Sequence, residues 1–125
     1  MQVMQIIPVE QVNIDRDQLE ILYSTMGEAN AEDAVSRAIE ELAMRMSDCE
    51  KLYKQAQWGE LRRNARSLVG IAEQVGVCTL SRVARDVINC IDIGESTALA
   101  ATLSRMIRIG ERSLSAIFLA QEEPM

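Results

Sequence analysis

Arg66-Ser67-Leu68-Val69-Gly70-Ile71-Ala72-Glu73-Gln74-Val75-Gly76 decides how this chain reads. Leu68, Ala72 and Val75 recur at spacings of four and three, and Leu61 and Ala65 extend the same stripe upstream. That period is the signature of an amphipathic helix with one buried face. Gly70 interrupts the helix away from the stripe. An interior helical glycine is unfavourable by ~1 kcal/mol relative to alanine, so it needs a packing or approach reason. Arg66 lies one turn before it. Together they point to a partner that comes close to the helix surface at Arg66.

Similar stripes flank this segment on both sides. Asp15 is expected to cap a first helix, with Gln18 three residues on and Ile14 and Leu19 as a hydrophobic staple. Leu19, Leu22, Tyr23 and Met26 form its apolar face, and Gly27 stops it. Asn30 is read as the cap of a second helix, with Glu32 and Asp33 favoured in its first turn. Val35, Ala38, Ile39, Leu42, Met46, Cys49 and Leu52/Tyr53 carry that helix to about Gln55. At ~1.5 Å per residue it is roughly 37 Å long. The third helix starts around Gln57 and ends at Gly76. Thr79 is expected to cap the fourth, along which Leu80, Val83, Val87, Ile88 and Ile91 repeat the pattern. Gly94 ends it. Ser96 or Thr97 opens the fifth, whose inner face is Leu99, Leu103, Met106, Gly110, Leu114 and Ile117. Trp58 and Phe118 are read as core.

No strand-like alternation of useful length follows residue 14. The expected architecture is therefore all-α: an antiparallel up-down four-helix bundle, with a short extra N-terminal helix capping one end. Residues 1–14 read as an extended arm, 15–120 as the bundle and 121–125 as a flexible tail. One domain suits 125 residues. Aromatics make up only 3% of a chain that is 48% hydrophobic, so the core is expected to be aliphatic.

Charge narrows the function. Thirteen basic and nineteen acidic residues give a net charge of −6. Such a chain has no basic excess for nucleic acid or for an anionic membrane. Cys49, Cys78 and Cys90 are odd in number and widely spaced, and read as buried reduced thiols. With no histidine in the chain, a zinc site is not expected. Nor is any cofactor. The N-terminus lacks the pattern of a signal peptide, and the expected location is cytoplasmic. Glu40–Glu41 and Glu122–Glu123 are neighbours that diverge by about 100° on a helix, so they read as solvated charge and not an acid–base pair. Serine and cysteine have no histidine base, and enzymatic activity is not expected.

On a helical wheel, Leu61, Ala65, Leu68, Ala72 and Val75 fall within about 80°. Gly59, Arg62, Arg66, Gly70 and Glu73 form a second line roughly 90–170° away. An ordinary solvated face is the plain explanation of this line, and a closely approaching neighbour helix is a plain explanation of Gly70. A docking face differs from the first because it gains a flat patch beside Arg66.

At this point the chain resembles the histidine-phosphotransfer (HPt) domain. That family carries its phosphorylatable histidine in His-x-Leu-Lys-Gly, followed by two small residues and Leu-Gly-Ala. Here the corresponding run is Arg66-Ser67-Leu68-Val69-Gly70, Ile71-Ala72-Glu73-Gln74, Val75-Gly76-Val77. The leucine, both glycines and their spacing match. Gln57-Trp58-Gly59-Glu60-Leu61 looks like the family's start to this helix, and the resemblance spans about residues 15–118. It implies a four-helix bundle that presents this helix to the acidic pocket of a response-regulator receiver domain, or to a histidine kinase. The departures are chemical. Arg66 holds the histidine position and Val69 the lysine position. A guanidinium stays protonated and has no free lone pair to attack a phosphoaspartate. Ser67 is read nearer the core line, and Asn64 is a poor nucleophile. No residue is left to be catalytic. The resemblance thus implies a docking surface without phosphate transfer, made of Arg62, Arg63, Arg66, Val69, Gly70 and Glu73. A reading of another class is a helical scaffold or homodimer, with Met1, Met4 and Ile6–Ile7 adding apolar contact to a second subunit.

Overall fold

A computed structural model describes residues 12–122, with side chains for 12–120. Five helices account for nearly all of it: α1 Arg16–Met26, α2 Glu28–Lys54, α3 Trp58–Gln74, α4 Cys78–Ile93 and α5 Ser96–Glu122. Among the described residues the only extended pairing is an isolated bridge between Ile14 and Val77. The reading of residues 1–11 as an arm, and the final residues 123–125 of the expected tail, lie outside the described residues.

Asp15 starts α1 as expected, its carboxylate accepting from the Gln18 amide at 3.1 Å. Gly27 ends it at φ 84°. The next helix follows at once, which corrects the expectation for Asn30. Gly27 itself is the N-cap of α2. Asn30 already lies in the helix, and its amide donates back to the Met26 carbonyl at 3.1 Å. A one-residue link leaves no place for a capping residue three positions on. Thr79 is corrected in the same way. Val77 precedes the first residue of α4, and the Thr79 hydroxyl accepts instead from the Asn13 amide at 2.8 Å.

The ends of α2, α3 and α4 close alike. Gln57 N–H donates to Leu52 O, Val77 to Ala72 O and Glu95 to Cys90 O. Inside each of these, Ala56 donates to Tyr53 O, Gly76 to Glu73 O and Gly94 to Ile91 O. This is the nested pair of the Schellman motif, with Ala56, Gly76 and Gly94 at the positive-φ position.

Cross-helix pairs give the directions. Asn64 meets Arg45 and Cys49, while the later Tyr53 meets the earlier Trp58. Arg62 meets Asp92 while Glu73 meets Ser81. Cys90 meets Thr102 while Asp86 meets Arg105. In each case residue numbers rise on one helix as they fall on the other, so α2/α3, α3/α4 and α4/α5 run antiparallel. α5 also packs on α2, and α1 lies against α2. A β-carbon on Gly110 of α5 would collide with the side chain of Met46 on α2, so the glycine leaves the room that this methionine fills.

One aliphatic cluster fills the centre. Val35, Leu42, Leu61, Leu68, Leu80, Val87, Met106 and Ile117 are fully buried in it. Leu61, Ala65, Leu68, Ala72 and Val75 of the expected stripe are inside. Trp58 and Phe118 are not: they are 44% and 53% exposed, against the expectation of core. Trp58 stands at the first residue of α3, and Phe118 follows the buried Ile117 on α5, turned about 100° away from it.

Candidate partner-docking face

Two neighbours flank α3 and fix what it shows to solvent. α2 lies on the Asn64 side. Asn64 donates to the Arg45 carbonyl at 2.8 Å and to Cys49 Sγ at 3.1 Å, and accepts from Arg45 Nη1 at 2.8 Å. Its polar atoms are thus engaged in joining two helices. α4 lies on the other side, where Arg62 and Glu73 reach across to it. The buried arc therefore extends toward α4 and takes in Val69, which is only 9% exposed and belongs to the core. This corrects its place among the docking residues. Ser67, read nearer the core, is exposed instead.

The remaining site residues are at the surface, but their charges are not equivalent. Arg62 donates twice to the Asp92 carboxylate, at 2.7 and 3.1 Å. That hydrogen bond holds the Asp92 carboxyl below its ordinary range and pushes the Arg62 guanidinium further up. Arg63 lies 3.9 Å from Glu60, an exposed pair of small energetic consequence. Glu73 accepts from Arg85 and from the Ser81 hydroxyl. Arg66 has no hydrogen-bond or ion-pair partner among the described residues. The expected patch of three arginines thus reduces to one uncompensated guanidinium, flanked along the α3/α4 seam by two neutralised pairs.

Gly70 stands one turn beyond Arg66. A β-carbon built there would have no heavy atom within 4 Å. No neighbouring helix requires this glycine, so the close-approach explanation fails. The surface beside Arg66 is bare backbone open to solvent. Gly59 is equally open near the start of the helix.

α4 adds residues to this face that the sequence reading passed over. Arg82, Arg85 and Asn89 are exposed along it. The signal was present: they sit opposite Leu80, Val83, Ala84 and Val87 at helical spacing, and all four of those are buried. Arg82 and Arg85 line a cleft of about 330 Å³ with Asp15, Glu73 and Cys78 at the α3–α4 corner.

What the face offers chemically is a fixed positive charge on a flat helix surface. The Cys49 thiol adds no nucleophile to it. Cys49 is fully buried, and that burial pushes its thiol up to about 11. Cys78 and Cys90 are partly buried and free. Among the described residues no three His, Cys, Asp or Glu side chains converge in a group that could hold a metal ion, and no helix is long and apolar enough to cross a membrane. No family model, curated protein or solved structure matches this chain.

Proposed function

We propose that α2–α5 form an HPt-like four-helix bundle, and that the chain is a phosphorelay docking protein. It engages a response-regulator receiver domain or a histidine kinase without carrying phosphate, as a binding protein and not an enzyme. The observation that carries this reading is Arg66, uncompensated on an exposed helix face beside an unobstructed Gly70. A solvated face gains nothing from the glycine. A docking face gains access, and the guanidinium meets an acidic surface on the partner. The absence of histidine from the whole chain supports docking without transfer. Charge complementarity of this kind acts on specificity and on-rate more than on affinity. On this reading the partner-facing set is Arg66, Gly70, Arg63 and the outer edges of the Arg62–Asp92 and Glu73–Arg85 pairs, with Arg82 from α4.

The test is binding to a panel of receiver domains and histidine kinases by surface plasmon resonance. Arg66→Ala is expected to weaken the cognate complex about tenfold, in the range of an interface arginine. Gly70→Leu is expected to cost at least as much through steric exclusion. Arg66→His, offered a phosphorylated receiver, is expected to restore phosphate acceptance. Unchanged binding in both loss variants, or no binding to any receiver or kinase, overturns the reading.

A scaffold reading has an observation of its own. Phe118 and Leu119 are 53% and 61% exposed side by side on α5, an apolar surface suited to a second subunit. Light scattering separates the two: a concentration-independent dimer, lost on Phe118→Ser and unable to bind through the Arg66 face, favours the scaffold.

A further inference from the structure

A second cleft, of about 210 Å³, opens at the end of the molecule where the α2–α3 and α4–α5 corners meet. It is away from Arg66 and independent of the docking reading. Tyr53 and Trp58 supply one wall, with ring centroids 5.7 Å apart and planes 65° from parallel. Ile91 and Leu99 supply apolar surface, and Leu99 is only 5% exposed. Glu95 supplies the one carboxylate of the lining, which contains no cationic side chain. Glu95 has no ion-pair partner among the described residues.

Each of these features selects against part of the ligand space. The uncompensated carboxylate disfavours an anion. The aromatic and aliphatic walls disfavour a strongly hydrated ion such as a metal aquo ion. Two aromatic rings in edge-to-face contact, with one negative charge in the same lining, suit a cation whose charge is wrapped in methyl groups, because an uncovered ring face attracts such a cation without stripping a tight water shell. Trp58 is left 44% exposed at the mouth, where a ligand would cover it. We infer that this cleft binds a methylated ammonium group, seated on Tyr53 and Trp58 with Glu95 as its counter-charge.

Trp58 is the only tryptophan in the chain, so its fluorescence reports on this cleft alone. The full chain is titrated at constant ionic strength with tetramethylammonium, with choline and, separately, with 3,3-dimethylbutan-1-ol, the neutral carbon isostere of choline. Saturable change is expected with the cations, and binding about tenfold weaker with the neutral compound. Glu95→Gln is expected to weaken the cation several-fold and leave the neutral compound unaffected. Tyr53→Leu, which keeps the reporter, is expected to weaken the cation as well. Choline and a trimethyl-lysine peptide then distinguish the source of the group, free metabolite or protein side chain, by which one binds tighter. Glu95 also immediately precedes α5, where a negative charge favours the helix N-terminus. If that were its whole role, Glu95→Gln would lower the melting temperature and leave cation binding unchanged. That result overturns the inference, as does equal binding by the neutral isostere or no saturation with any of the three cations.

Discussion

The α2–α3 and α3–α4 corners are built on the same pair of backbone hydrogen bonds, yet different residues stand at the same position. Ala56 takes it at φ 54° and Gly76 at φ 79°. The closure therefore does not require glycine: it requires a left-handed residue, and the two nested bonds from Gln57 and Ala56 hold alanine there despite its β-carbon. What distinguishes the second corner is its surroundings. A β-carbon on Gly76 would stand 2.8 Å from the Asp15 carbonyl oxygen and 3.3 Å from Asp15 Cβ. The Asp15 amide also donates to the Gly76 carbonyl at 2.7 Å. The chain entering α1 is thus pressed onto this corner. Gly76 answers two demands, handedness and clearance, whereas Ala56 meets one and bears its strain.

Exchanging a single methyl group at each of these places separates the two demands. Gly76→Ala should have the largest effect, because left-handed strain of ~1–2 kcal/mol adds to a backbone collision. A loss of about 2–3 kcal/mol in urea unfolding is expected. It should be accompanied by faster amide exchange at Asn13 and Asp15, whose bonds to Thr79 and Gly76 anchor the entering chain. A loss no greater than that at Gly94 would show that clearance does not matter. Gly94 is the control for that comparison. It closes α4 with the same bonds at φ 82°, but its β-carbon would meet nothing within 4 Å. Gly94→Ala should therefore cost strain alone, about 1 kcal/mol by thermal denaturation.

These corners also show what could be read before any coordinates. Gly76 and Gly94 announced their helix ends because glycine after an apolar stripe is a recognisable stop. Ala56 announced nothing, since its handedness arises from hydrogen bonds between residues 52 and 57 and not from its own identity. The buried stripe of α3 was legible for a related reason: helical period is a local property. The width of that stripe was not. Val69 is buried because α4 packs on its flank, and no spacing within α3 records where α4 lies. The site divides along the same boundary. That Arg66 and Gly70 share an exposed line followed from the wheel. That Arg62 and Glu73 are committed to α4 depends on Asp92 and Arg85, 30 and 12 residues away. Trp58 was misread because residue type suggested core, while its place at the first turn of α3 leaves it over the cleft between two corners.

Ala56→Gly reverses the sign of the corner exchanges. Removing the β-carbon relieves left-handed strain, but frees the unfolded chain by ~0.5–1 kcal/mol, so the two effects largely offset. A net gain of at most about 1 kcal/mol is expected, measured by urea unfolding. A loss on this substitution would mean that alanine is unstrained there and that the likeness of the corners is superficial.

Gly70→Ala carries the smallest change in stability and bears most directly on function. The residue has helical backbone, and its β-carbon would meet nothing, so alanine is compatible with the native state in both respects in which it fails at Gly76. It should stabilise the chain by about 0.5 kcal/mol, the low end for an exposed helix position within a turn or so of the α3 terminus. Folding alone therefore favours alanine over glycine at this position. If the bare surface serves a partner at Arg66, the same variant should bind that partner less tightly while melting at a higher temperature. Gains in both stability and binding would remove the reason for treating Gly70 as part of a docking face, and would leave Arg66 as one more solvated arginine.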